Sequence, residues 1–236
     1  MKTLICLLSG MLLIACGPKD ISVKKYYFPY VDLTTPKVYA FVNTSDTSQR
    51  TYWHLRTEIQ NTDTILGIHI LNNDCEVTHI LFNQITEDGV RLKRVIHISQ
   101  NRETIQYTIT RDEVLQWKIK PSDKLYVSFG AEDSTGTESQ EIMIEKSFTD
   151  KKKEVIFSGK KYSSIGINEL STLNIQTPNR TKSEEQQRTG FYAEGLGLIR
   201  FETSSTDGSV TTMTLEKIMN INDFEILRQS KNIQQE

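Results

Sequence analysis

The sequence predicts an all-β protein built on an antiparallel sheet of about ten to twelve strands. Three observations carry that expectation. Apolar and polar residues alternate with period two over most of the chain. In Thr51 to Gln60, for example, Trp53, Leu55, Thr57 and Ile59 fall on one face and Tyr52, His54, Arg56 and Glu58 on the other. Asp88-Gly89 and Asp207-Gly208 each stand between extended runs, and two-residue hairpin turns favour that dipeptide because they need positive φ. Helical spacing shows in one short stretch, Ile167, Leu170 and Leu173, so at most one short helix is expected besides the leader.

Residues 1–15 have the build of a secretory signal. Met1-Lys2-Thr3 forms a positive head, and Leu4, Ile5, Leu7, Leu8, Met11, Leu12, Leu13 and Ile14 form an apolar core. The core is shorter than the roughly 20 residues a membrane-spanning helix requires. Residues 16–22 read as a tether, 23–228 as one β domain and 229–236 as a frayed tail. Of three cysteines, Cys6 leaves with the leader and Cys16 opens the mature chain. Cys75 then stands alone, so no internal disulfide is expected and a buried structural thiol is the reading. The formal net charge of −2 offers no basic face for nucleic acid.

Along the chain, Val23 to Pro29 and Lys37 to Asn43 look extended, with Pro29 and Pro36 marking an edge or corner between them. Asn43 to Gln49 is a polar loop. Thr64 to Ser99 reads as three consecutive antiparallel strands, with His69 facing His79, Ile85 facing Leu92 and Leu81 facing Ile96. Further strands are expected at Glu103 to Thr110, Val114 to Ile119, Lys124 to Gly130, Gln140 to Phe148 and Glu154 to Phe157, with a charged turn at 150–153. Lys160 to Thr177 carries the candidate helix, and Pro178 to Arg188 reads as an exposed polar loop. Gly190 to Lys217 is a long hairpin about Asp207-Gly208. In it Ala193, Gly195 and Gly197 share a face, which suits a covering segment or a ligand coming close.

In the register expected for Thr64 to Ser99, one face is core and the opposite face is partly apolar. Leu66, Ile68, Ile70, Ile80 and Phe82 on that second face are candidates for lining a ligand cavity, with a packed sandwich as the alternative.

Two stretches carry a family resemblance. Leu13-Ile14-Ala15-Cys16 resembles the lipobox of bacterial lipoprotein precursors, which implies diacylation of Cys16 and attachment to a membrane by lipid. Gly17 in place of Asp implies, by the same resemblance, the outer membrane, with the leaflet open. Phe191-Tyr192-Ala193-Glu194-Gly195-Leu196-Gly197-Leu198-Ile199 resembles the closing motif of bacterial lipoproteins with a strongly curved sheet, similar to the Lol-type lipoprotein carriers. That resemblance implies a half barrel or unclosed barrel whose concave face holds acyl chains.

The chemistry-bearing residues form no recognisable constellation. His69 and His79 side by side give two metal ligands where three or four are needed, so no metal or cofactor is expected. No Gly-x-Ser-x-Gly, phosphate loop or dinucleotide pattern occurs. No catalytic residue is assigned and no enzyme is expected. The expectation is a lipid-anchored, non-catalytic envelope lipoprotein binding an apolar or acyl-chain ligand. The alternatives are a structural or docking module for another envelope protein and, third, a hydrolase without a recognisable motif.

Overall fold

The computed structural model describes residues 20–132, 137–206 and 208–233. The expected signal segment, Cys16 and residues 17–19 of the tether lie outside the described residues, as do residues 133–136, Asp207 and 234–236. In chain order the strands are β1 (Ile21–Ser22), β2 (Lys37–Asn43), β3 (Arg50–Gln60), β4 (Asp63–Leu71), β5 (Val77–Ile85), β6 (Gly89–Ile98), β7 (Thr104–Gln116), β8 (Lys118–Ile119), β9 (Lys124–Glu132), β10 (Ser139–Phe157), β11 (Lys160–Thr177), β12 (Arg180–Ala193), β13 (Gly197–Ser204) and β14 (Val210–Asn220), followed by one helix, α1 (Ile221–Ile233).

Among the described residues twelve strands close into an antiparallel barrel, in the order β10, β11, β12, β13, β14, β2, β3, β4, β5, β6, β7, β9 and back to β10. The expected half barrel or unclosed barrel is therefore corrected: the sheet is closed. The half barrel was what the resemblance of Phe191 to Ile199 implied, and two stretches expected as helix and loop are strands of the closed ring. Lys160 to Thr177 is strand β11, not a helix, and Pro178 to Arg188 is a two-residue turn followed by strand β12. Ile167 and Leu173 do recur at helical spacing, but they pair with Phe148 and Ile142 on one face, while Leu170 points to the other. The polar character of Arg180 to Gln187 marks a strand exposed on both sides, not a loop. With these two strands in place every barrel strand has two neighbours, and the exposed edges an open sheet would carry are reduced to strand ends.

The remaining strands follow the alternation. Trp53, Leu55 and Thr57 face inward and are buried. The expected strands 103–110 and 114–119 are one continuous β7 ending before the short β8, and the expected charged turn at 150–153 is a bulge inside β10.

Strand directions define two mouths. The β3–β4, β5–β6, β10–β11 and β12–β13 turns lie at one, here the near mouth. The β2–β3, β4–β5, β6–β7, β11–β12 and β13–β14 turns lie at the other, the far mouth. The chain enters at the near mouth, where β1 pairs with β8. Val23 to Pro29, expected as extended, is not a strand but part of a longer irregular stretch, Val23 to Leu33. It folds into two 3₁₀ turns, Lys24–Tyr26 and Asp32–Thr34, and passes through the barrel interior before returning to β2. Val23, Tyr26, Tyr27, Phe28 and Leu33 are all buried there among Tyr39, Phe41, Trp53, Leu55, Trp117 and Leu198. Phe28 makes an edge contact with Tyr39 (5.7 Å) and Tyr27 one with Trp117 (5.8 Å), the arrangement favoured by ring quadrupoles.

The glycine motif is the seat of this plug. Residues 194–196 form the tight β12–β13 turn, with Ala193 opposite Gly197. Gly195 and Gly197 take positive φ (74° and 84°), and a Cβ at Gly197 would stand 2.5 Å from a ring carbon of Phe28. The Gly195 amide donates to the Lys25 carbonyl at 2.9 Å, the Tyr39 hydroxyl donates to the Leu196 carbonyl at 3.0 Å, and Lys25 pairs with Glu194 at 2.7 Å. The close approach expected at these glycines is made by a covering segment of the same chain.

Helix α1 starts at the near mouth and runs back along the outer wall. Asn220 caps it, accepting from the Asp223 amide at 2.9 Å. Phe224 packs on Val38, Ala40, Tyr52, Leu71, Cys75 and Met219, and Lys231 donates to the Asn73 carbonyl. The chain that was expected to fray from residue 229 is helical to Ile233.

The plug and the glycine turn should behave as one unit. Phe28→Ala is expected to cost about 3–5 kcal/mol in urea unfolding, and Gly197→Ala about 1–3 kcal/mol. In the double variant the Gly197 penalty should shrink, because the Phe28 ring that the new Cβ strikes is gone. Additive losses would show that the two residues do not meet.

Candidate functional site

Register decides which residues face the lumen. Leu66, Ile68 and Ile70 stand opposite Thr57, Leu55 and Trp53 and point inward. Leu66 and Ile68 are core residues, and Ile70 packs against the same cluster. Ile80 and Phe82 point the other way, opposite His69 and Gly67 on the outer wall. The structure thus divides the five lining candidates between two faces. The cause is a single bulged residue: Ile70 pairs with His79 but Leu71 with Val77, leaving Thr78 over. One extra residue moves every later side chain of β5 to the opposite face. The β5–β6 hairpin also shifts, to Ile85 opposite Val90 and Asn83 opposite Leu92, because Thr86 closes a wider turn by donating to the Gly89 carbonyl.

The histidines pair differently from expectation for the same reason. His54 faces His69 on the outer wall (ring centres 5.5 Å), and His79 faces His97 at the far mouth (4.7 Å, Nδ1 of His97 to Nε2 of His79 3.2 Å). The second pair borders a groove of about 1120 Å³ between the β4–β5 and β6–β7 turns, lined also by Asn72, Glu76, Arg102 and Arg228. Among the described residues no three His, Cys, Asp or Glu side chains converge in a way that would hold a metal. Cys75 is a buried free thiol in the β4–β5 turn, and burial pushes its pKa up.

Sequence reasoning missed the most unusual group in the lumen. Lys146, Glu169 and Arg188 stand opposite one another on adjacent strands β10, β11 and β12. Lys146 and Glu169 form an ion pair at 3.0 Å with side chains only 13% and 16% exposed. Burial opposes ionisation of Glu169, but Lys146 and Arg188 together outweigh it and hold its carboxyl below the usual range. The Arg188 guanidinium lies 4.2 Å from the Phe201 ring centre and 5.5 Å from that of Trp53, and its Nε is buried with no partner. Tyr192 nearby is half-buried, and desolvation first and the Glu169 charge second push the pKa of its hydroxyl up. The signal that could have found this group was phase: Lys146 shares the face of Ile142, Ile144 and Phe148, and Glu169 that of Ile167 and Leu173, so both charges sit on inward positions.

The arrangement defines a class: a closed antiparallel barrel stoppered by its own N-terminal segment, with a belt of charge across the lumen. No protein-family model matches the chain, and no curated protein matches it in sequence. Two solved structures resemble it in fold. One is described as a candidate lipoprotein from Parabacteroides distasonis ATCC 8503, at 10% identity and a TM-score of 0.49, over 82% of this chain and 97% of that one. The other is a candidate exported protein with a YmcC-like fold from Bacteroides fragilis NCTC 9343, at 11% identity and a TM-score of 0.47, over 82% of this chain and 99% of that one. At these values neither likeness bears on family or activity.

Removing one partner of the buried pair should be far costlier than removing an exposed one. Glu169→Ala strands the Lys146 ammonium and is expected to lose about 3–5 kcal/mol, whereas Glu154→Ala, whose partner Lys161 is well exposed, should lose less than about 1 kcal/mol. Matched urea denaturation of the two variants checks the difference.

A pH dependence follows from His54 and His69. Burial lowers the pKa of both from 6.5, and His54 is lowered further by His69 and Arg56. The folded protein therefore takes up these protons later than the unfolded chain does. Their contribution to stability is intact above pH 6.5 and falls as the pH drops through that value. Urea midpoints should decline from pH 7.5 to 5.5, and His54→Gln with His69→Gln should flatten that decline.

Proposed function

We propose that this chain is a lipid-anchored lipoprotein of the bacterial outer membrane, held through Cys16. In this reading its barrel is a non-catalytic docking module that offers the far mouth to another envelope protein. The observation that carries it is the plug: Val23 to Leu33, beginning seven residues after Cys16 in sequence, fills the near half of the lumen with Tyr26, Tyr27, Phe28 and Leu33. A lumen stoppered by the segment next to the anchor suits a fixed module better than a carrier that must load and release. The groove at the far mouth, between the β4–β5 and β6–β7 turns, is the surface we assign to the partner.

A second reading, an acyl-chain or other apolar ligand, is favoured by the buried unpartnered Nε of Arg188, which could meet an acidic head group. Leu66 and Ile68 would line such a site only after the plug had left, since both pack in the same core as Phe28.

Labelled palmitate should enter the wild-type product and fail to enter Cys16→Ser, which should also lose its membrane localisation. Native mass spectrometry of the detergent-extracted protein separates the two readings. The bare acylated mass, with a protein retained in pulldown and lost on Arg102→Glu with Arg228→Glu, supports docking. A bound lipid mass that disappears in Arg188→Met supports the ligand.

A further inference from the structure

The near mouth carries an apolar rim that the docking surface does not use. Three aliphatic side chains are more exposed than any other large hydrophobic among the described residues: Ile59 (73%), Val31 (71%) and Ile156 (71%). All three stand at this mouth. Ile59 is at the end of β3, next to the β3–β4 turn. Val31 is in the stretch by which the plug returns to β2. Ile156 is in the β10–β11 hairpin, which runs on past the end of β12. Lys24, Lys118, Lys120 and Lys160 are exposed beside them. Acidic groups share the rim, with Glu194 and Glu154 taken up by Lys25 and Lys161.

The length of chain between the rim and the anchor says what covers it. β1 begins at Ile21, five residues after Cys16, so the acylated sulfur lies within about 18 Å of the near mouth even if the tether is fully extended. The headgroup layer on one side of a bilayer is roughly 5–8 Å thick. With the headgroup layer subtracted, the tether leaves the near mouth no more than about 10–13 Å from the lipid surface, so the bilayer is the surface that this mouth meets first.

We propose that the near mouth rests on the bilayer, with Ile59, Val31 and Ile156 seated at the headgroup boundary and the exposed lysines among the lipid phosphates. The far mouth then points away from the membrane. This assignment rests on lipid attachment at Cys16. The mixed charge of the rim makes the contact chiefly apolar, so it should persist in high salt.

The test uses the full acylated protein in vesicles of phosphatidylethanolamine and phosphatidylglycerol carrying brominated lipid. A fluorophore is attached to Ile59→Cys, to Ile156→Cys or, as a far-mouth control, to Val210→Cys; the exposure of these sites keeps folding out of the comparison, and Cys75 is buried. Vesicle flotation is measured on the same samples. The expected result is flotation of all three, with fluorescence reduced by about half at Ile59→Cys and Ile156→Cys and unchanged at Val210→Cys, in low and high salt alike. Flotation with equal quenching at all three sites, or none at any, overturns the proposal while leaving the anchor in place. Failure to float overturns the anchor and the proposal with it.

Discussion

A closed barrel of twelve strands cannot fill itself, and that constraint governs the rest of the molecule. About eight strands enclose a lumen that inward side chains can occupy, and each further pair widens it. The chain meets the shortfall with its own N-terminal segment, bringing Tyr26, Tyr27 and Phe28 into contact with Tyr39, Trp53 and Trp117. Several oddities of sequence then have one cause. Gly197 lacks a Cβ because Phe28 needs the space. The Glu194–Leu196 turn is tight because it must offer an amide to Lys25 and a carbonyl to Tyr39. The β10–β11 hairpin outruns its neighbours, and Val155, Phe157 and Tyr162 fold against the plug from above.

The lumen is graded along its axis. The near half is aromatic and closely packed. Across the middle runs the belt of Lys146, Glu169 and Arg188, and on the wall toward β7 and β9 a second apolar cluster gathers Leu92, Val95, Tyr107, Val127 and Phe129. Ion pairs in such surroundings recover their desolvation cost only when geometry and neighbouring charge cooperate. Here the guanidinium on the Phe201 and Trp53 faces supplies that help, through cation–π contact as well as charge. The belt marks the level at which the packing of the plug gives way to the strand walls.

Much of the architecture was legible in the chain because period-two alternation is a local signal. β3 could be read residue by residue, inward Trp53, Leu55 and Thr57 against outward Tyr52, His54 and Arg56, and the strands of β4 to β6 were recognisable as elements. What could not be read was non-local. Nothing near Thr78 announces that it will be left unpaired, yet that one residue puts Ile80 and Phe82 on a different face from Leu66 and Ile68. β12 hides because Arg180 to Gln187 is exposed on both sides, so it has no alternation to show. β11 imitates a helix because its inward Ile167 and Leu173 have the outward Leu170 midway between them. The open ring was what the resemblance of Phe191 to Ile199 implied, and β11 and β12 are two of the strands that close it. The charged belt was visible in principle, as charges at inward phase, but only after β10 and β11 had been set in register.

The attachment of the plug to the barrel at both of its ends bears on what the lumen can hold. Each plug aromatic removes about 150–250 Å² from water, worth at most about 4–6 kcal/mol at roughly 25 cal/mol/Å². Three such rings therefore approach the burial of a long acyl chain at about 0.8 kcal/mol per CH₂. On contacts alone the two occupants are closely matched. They differ in how they reach the lumen. The plug runs into β2 four residues after Leu33 and is held by β1 pairing with β8 at its other end, so it rebinds as an intramolecular segment at an effective concentration of roughly millimolar or more. A free lipid at lower concentration loses that competition unless it gains something the plug does not offer. One such gain among the described residues is a negative charge for Arg188, whose Nε is buried without a partner, and that directs the ligand question to this residue before the apolar wall of β4.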